Sequence, residues 1–244
     1  MKTQAGLLVS GAAIFAGKRD MKTMTGWPLL LLLPLCMDLQ AIEDGDKAGG
    51  RPDIVLILAD DQTWSDSGCY GNRQVRTPNI DRLAAEGMRF TRAFTATAMC
   101  APTRQQLYTG LFPVRNGAYP NHSKVKPGTR SIVHFLRKLG YRVGLSGKKH
   151  FGPPDSFPFE NVPRAQLGKF IARKKGEPYC LVITSHSPHL PWTEGDVSAY
   201  DPAAVRIPAR FVDTPQTRVS LVKYYAEITD FDRELGECLA AVKK

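Results

Sequence analysis

The apolar run Asp53-Ile-Val-Leu-Ile-Leu-Ala59 leads directly into two adjacent carboxylates, Asp60 and Asp61. Side by side they repel each other, so burying both requires a cation or a proton. Hard oxygen donors of this kind suit Ca²⁺, with Mg²⁺ as the smaller alternative. An Asp-Asp pair standing alone reads as a solvated turn. A second constellation follows at Cys100-x-Pro102-x-Arg104, continued by Leu107-x-Thr109-Gly110. Pro102 favours a helix entry, which sets Cys100 at an amino terminus where anions are stabilised. Arg104 lies one turn further on and can face the same site. Two more segments carry groups able to bind anions or move protons: Gly147-Lys-Lys-His-Phe-Gly152 and Ser185-His-Ser-Pro-His189. Taken singly, each of these is an ordinary basic turn or loop.

These groups need a frame, and the apolar pattern supplies one. Asp53–Ala59, Tyr141–Gly147 and Tyr179–Thr184 are runs of strand length, of the kind buried on both faces of a parallel sheet. Met88–Phe94 is a shorter strand candidate. Helices are expected from Pro78 to Gly87, over Cys100–Thr109 with Gly110 as the stop, and over Ser131–Leu139. The last of these places Ile132, Phe135, Leu136 and Leu139 on one face. Two more helices are expected over Gln166–Lys175 and Thr217–Val242. The second carries an apolar stripe of Val219, Val222, Tyr225, Ile228, Phe231, Leu235 and Leu239. Strands alternating with helices mean an α/β fold with a mostly parallel sheet, whose ligands gather beyond the carboxyl ends of the strands. Asp60 and Asp61 stand at such an end.

Composition narrows the function classes. The chain has 244 residues, 43% hydrophobic and 23% charged, with no internal repeat and no uninterrupted apolar run long enough for a polytopic membrane protein. The net charge is +10. Residues 1–50 carry equal numbers of acidic and basic groups, so the excess lies in the body and suits an anionic partner. No Arg/Lys tract interleaves with aromatics, which argues against nucleic acid. The cysteines Cys36, Cys69, Cys100, Cys180 and Cys238 show neither zinc-site spacing nor the density of a disulfide scaffold.

At the amino terminus, Lys22 precedes the apolar stretch Trp27–Met37, and Ala41 closes the segment. This reads as a secretory signal peptide starting at Met21, with residues 42–50 as a flexible linker and residues 51–244 as the body of the protein. Export is therefore expected, to a periplasm, a lysosome or the cell exterior, with no stable membrane insertion after signal cleavage.

Cys100-x-Pro102-x-Arg104 with its Leu-x-Thr-Gly continuation resembles the signature of the formylglycine-dependent sulfatases. Asp53–Asp61, Thr77-Pro-Asn-Ile-Asp-Arg-Leu83 and Gly147-Lys148-x-His150 resemble the same family in the same order. Local segments such as Phe157-Pro-Phe159 and Ala199-Tyr-Asp-Pro202 are most similar to its sulfamidase branch, which acts on N-sulfated glucosamine. The resemblance implies an alkaline-phosphatase-like sandwich and hydrolysis of a sulfuric ester or sulfamate of a sulfated carbohydrate. It implies Asp60, Asp61 and the modified Cys100 as metal ligands, with Ca²⁺ as the metal. Cys100 would be oxidised to Cα-formylglycine by a formylglycine-generating or anaerobic sulfatase-maturing enzyme, and one hydroxyl of its hydrate would attack sulfur. Lys148 and Arg104 would bind the sulfate, His186 would protonate the leaving atom, and His150 would help expel sulfate from the nucleophile.

The family also draws metal ligands from an Asp-Asn or Asp-His pair beyond a later strand, and no such dipeptide occurs here. The family's small carboxyl-terminal sheet domain is missing as well. The sequence thus reads as an incomplete amino-terminal catalytic domain, its sheet left with an unpaired edge. The alternative is a catalytically dead remnant that at most binds sulfated glycans. On that alternative residues 1–244 show no turnover even with Cys100 converted and calcium supplied.

Overall fold

The computed structural model describes residues 50–172 and 177–242, and the backbone of residues 4–9 and 12–17. The leader read over residues 21–41, residues 42–49 of the linker and the end of the helix expected to reach Lys175 lie outside the described residues.

Three apolar runs form the centre of the sheet as β3 (Ile54–Leu58), β5 (Arg142–Gly147) and β7 (Tyr179–Thr184). They pair in parallel with β7 in the middle, Leu56 opposite Val182 and Leu145 opposite Val182 on its other side. All six residues of β7 are buried, as a strand covered on both faces requires. The alternation of side chains divides the core in two. Val55, Ile57, Leu181 and Ile183 face one layer with α1 (Pro78–Glu86), α5 (Leu167–Ile171) and α6 (Pro215–Val242). Leu56, Leu58, Cys180 and Val182 face the other, with α2 (Cys100–Thr109) and α4 (Ile132–Lys138). This is the helix-covered parallel sheet that the sequence pattern predicts.

The edge of β3 away from β7 is covered. The backbone of β1 (Gln4–Val9) and β2 (Ala12–Gly17) forms an antiparallel pair, and β2 runs antiparallel to β3. Residues 1–20 are not among the elements expected from the sequence. Their apolar runs are separated by Ser10-Gly11, a hairpin-length interval. The sheet ends instead on two-residue strands, β4 (Met88–Arg89) and β6 (Glu160–Asn161). The strand expected over Met88–Phe94 is thus confined to its first two residues.

Two helical faces also differ from the reading. In α4 Val133 is fully buried, while Phe135 and Leu139 are about half exposed. In α6 the stripe holds from Val222 onward, but Val219 is exposed. That helix buries two carboxylates besides, Glu227 and Asp232. Asp232 accepts from the Asn79 and Ile80 backbone N–H groups at 3.0 and 2.8 Å, and so caps the first turn of α1. Among the described residues, no helix is long and apolar enough to cross a membrane.

Candidate active site

Three strand ends and one helix start converge. Beyond β3 lie Asp60 and Asp61; beyond β5, Lys148 and His150; beyond β7, the loop carrying His186 and His189; and α2 begins at Cys100. Gly147 lets β5 approach β7 closely at this point. Its φ is +99°, and a Cβ there would lie 1.9 Å from the Thr184 carbonyl oxygen. The Thr184 hydroxyl donates to the Lys148 carbonyl at 2.8 Å, which turns the lysine into the site.

Asp60 is the buried hinge of the charge arrangement. One carboxylate oxygen accepts from Arg104 Nη2 at 3.2 Å, and the other is paired with Lys148 Nζ. Burial alone would raise the Asp60 pKa, but the lysine and arginine together hold it below the ordinary aspartate value. Asp61 is exposed: Cys100 Sγ donates to its Oδ1 at 3.6 Å, and His189 Nε2 stands 3.7 Å from its Oδ2. Lys148 Nζ is 4.0 Å from Cys100 Sγ. Backbone conformation is unusual at the same place. The non-glycine residues with positive φ among the described residues are Asp61, His122 and His150. Such conformations cluster at functional sites.

Cys100 occupies the first position of α2, as the motif implies. As a free thiol it is nevertheless a poor nucleophile. Burial, then the negative charges of Asp60 and Asp61, push its pKa to about 11, and Lys148 offsets only part of this. In metal-free protein, labelling of Cys100 by iodoacetamide is therefore expected to keep rising from pH 8 to pH 10, read by peptide-resolved mass spectrometry. A plateau below pH 9 would contradict the two-carboxylate account.

His150 is drawn the other way. Burial, with the charges of Lys148, His122 and Arg104, lowers its pKa below the usual histidine value, so it is neutral at pH 7 and able to accept a proton. Its Nε2 lies 2.9 Å from His122 Nδ1. His122 lies in no motif of the sequence. It comes from a loop, and only the tertiary fold brings it here. Gln105, fully buried beside Arg104, ties that region together: its amide donates to the Ser123 carbonyl, and its Oε1 accepts from the Val125 and Gly152 backbone.

The histidine loop is held from below. Asp60 N–H donates to the Ser187 carbonyl at 3.1 Å, and the Ser187 hydroxyl donates to Glu227 Oε2 at 2.7 Å. His186 is exposed on the loop beyond β7, and its ring has no hydrogen-bond partner among the described residues. His189 faces inward instead and groups with Asp60 and Cys100, their donor atoms lying within 4.8 Å of one another. The structure thus brings Asp60, Asp61, Cys100, Arg104 and Lys148 together, sets His150 beside Lys148, and leaves His186 without a side-chain contact to this cluster.

The donors fit a divalent cation. Two carboxylates and an imidazole surround Cys100, whose oxidised form would offer oxygen in place of sulfur. These are fewer than the six to eight oxygens calcium takes, so water or substrate oxygen would fill the remainder.

The sulfatase family model matches residues 52–162, a span that carries Asp60, Asp61, Cys100, Arg104, Lys148 and His150. The chain belongs to the sulfatase family. It is 34% identical to the ulvan-active sulfatase of Formosa agariphila, over 82% of this chain and 43% of that protein. It is 29% identical to human N-sulphoglucosamine sulphohydrolase, over 88% of this chain and 49% of the relative. The sulfatase chain thus spans about half the length of these relatives. Its alkaline-phosphatase-like fold is shared with a protein solved in complex with its substrate, D-glucosamine-2-N,6-O-disulfate. That likeness has a TM-score of 0.63 at 18% identity and covers 79% of this chain and 62% of the other.

Proposed function

We propose that this sulfatase chain carries the nucleophile-bearing part of a centre that hydrolyses a sulfuric ester or sulfamate of a sulfated carbohydrate, after export and after oxidation of Cys100 to formylglycine by a maturing enzyme. The observation that carries the reading is the meeting of Cys100 with the Asp60–Arg104–Lys148 cluster at the carboxyl ends of the strands. A sulfate monoester is an anion and repels nucleophiles. Lys148 and Arg104 offset that charge and stabilise what develops on the sulfuryl oxygens. Once hydrated, the formyl group supplies the attacking oxygen, and a divalent cation held by Asp60, Asp61 and residue 100 supplies Lewis acidity when bound. His186, exposed and unengaged on the loop beyond β7, delivers a proton to the departing oxygen or nitrogen. The neutral His150 takes a proton from the nucleophile's second hydroxyl. The thiol pKa of about 11 supports the need for modification, because an unmodified Cys100 is protonated at neutral pH.

The test is co-expression with a maturing enzyme, mass spectrometry at residue 100, and release of nitrophenol from an aryl sulfate with and without calcium. Metal-dependent turnover is expected to fall at least about a thousandfold in Cys100→Ala. Turnover that survives this substitution overturns the assignment. A converted, calcium-loaded chain with no turnover favours the dead-remnant reading.

A further inference from the structure

Three cavities neighbour one another in sequence from the Cys100 site, each sharing lining residues with the next. The first, about 400 Å³, is lined by Asp60, Asp61, Cys100 and Arg104 and shares Asp61 and Thr63 with a second of about 480 Å³. The second shares Asp66, Pro208 and Arg210 with a third of about 670 Å³. Each is of ligand-site size.

The lining changes character along this path. The middle cavity is walled by Trp192, Tyr224 and Phe211. The first two are locked to the catalytic loops. Trp192 Nε1 donates to the Pro188 carbonyl at 2.8 Å, on the histidine loop. The Tyr224 hydroxyl accepts from Thr63 N–H at 3.2 Å and donates to the Asp61 carbonyl at 3.4 Å. Their rings pack together at 5.8 Å between centroids. A ligand lying on this wall is therefore held in register with Cys100. The far cavity is basic: Arg73, Arg206 and Arg210 line it, all exposed, and none forms an ion pair among the described residues. The Arg210 guanidinium lies 4.9 Å from the centre of the Phe211 ring, so the aromatic wall runs into the cationic end. The carboxylate at this end, Asp66, is buried and accepts from Asn72 Nδ2 at 3.3 Å, leaving the three arginines in excess.

An aromatic wall suits the C–H face of a pyranose ring, and unpaired guanidiniums suit sulfate or carboxylate in forked geometry. We propose that this groove is a subsite for a second anion: the sugar next to the one being desulfated lies on Trp192 and Tyr224, and its sulfate or carboxylate is gripped by Arg73, Arg206 and Arg210. The ligand is an anionic oligosaccharide rather than a single sulfated sugar. The proposal rests on the sulfatase reading for the first cavity only.

The experiment measures binding of two probes to the 244-residue chain by calorimetry: an N-sulfated glucosamine monosaccharide, and a heparin tetrasaccharide ending in that sugar. The tetrasaccharide is expected to bind at least about tenfold tighter at moderate salt, and that ratio is expected to fall towards one in R206A/R210A. Equal affinity for the two probes, or an unchanged ratio in the double variant, overturns the subsite. So does equal, arginine-dependent competition by inorganic polyphosphate, which would make the groove a general anion patch. Lys148→Ala separates the two readings. Loss of monosaccharide binding there, with no tetrasaccharide advantage in the parent chain, keeps the sulfate centre and removes the subsite. Arginine-dependent tetrasaccharide binding that ignores Lys148→Ala keeps the groove and removes the sulfate centre.

Discussion

Arg104→Met is expected to lower the free energy of unfolding by about 3 kcal/mol at pH 7, because it strands part of a buried charge. Asp60 is 3% exposed and Arg104 4%, so water cannot replace the lost guanidinium. Lys148 remains, which places the cost towards the lower end for a broken buried pair. The arginine also donates to the Lys148 carbonyl at 3.3 Å, so its removal loosens the turn that presents the lysine. The effect has a definite pH dependence. With both cations in place, the folded-state pKa of Asp60 is depressed, so its stabilisation is present above the unfolded aspartate value of 3.8 and is lost as pH falls through the folded pKa. In the variant that pKa moves up, and acid neutralises the stranded carboxylate before it neutralises the parent's. The stability gap should therefore be widest near neutrality and shrink as pH falls through the variant's Asp60 pKa towards the parent's lower one. Urea titrations at several pH values measure it, and a gap that stays constant would remove the ion pair as its cause.

What could be read in the sequence depended on how local each signal is. Asp60, Asp61, Cys100 and Lys148 each sit at an element end marked by an apolar run, a proline or a glycine, and the structure brings their elements together. The two-sided burial of β7 is legible for the same reason, since six consecutive apolar or β-branched residues leave no solvent face. The face of α4 is not legible. Over only seven residues, a three-or-four spacing admits either Phe135 or Val133 as the buried side, and packing against the sheet selects Val133. The thiol chemistry of Cys100 is misread if the helix start is considered alone. A helix amino terminus favours an anion by about 1 kcal/mol, whereas burial and two neighbouring carboxylates act against it together. His122 carries no local signal, because its contact with His150 spans 28 residues of loop, helix and strand.

Glu227 is the least legible participant and supports the largest remaining prediction. A glutamate is ordinarily solvated, yet Glu227, in the middle of α6, is 1% exposed. Its Oε2 accepts from the Ser187 hydroxyl, and its Oε1 accepts from the Glu194 and Gly195 backbone N–H groups at 2.6 and 3.3 Å. Gly195 permits this approach, since a Cβ there would lie 2.2 Å from the Ala226 carbonyl carbon. One carboxylate therefore fixes both ends of the loop that carries His189 and Trp192, and Ser187 passes the restraint to Asp60 through its carbonyl. Glu227→Ala leaves one hydroxyl and two amides unsatisfied and is expected to cost about 3 kcal/mol. Glu227→Gln retains an acceptor for the two amides and can turn its NH₂ towards the Ser187 oxygen, which accepts as readily as it donates. Its cost should be about 1 kcal/mol. A purely structural defect would lower stability without altering the native loop. The loop-holding role requires more: the Trp192 emission of folded Glu227→Ala, isolated by comparison with a Trp192→Phe background, should shift to the red as the indole loses its packing on Tyr224, while Glu227→Gln keeps the parent spectrum. Identical native spectra in all three proteins would show that Glu227 supports the helix and leaves the histidine loop to its own hydrogen bonds.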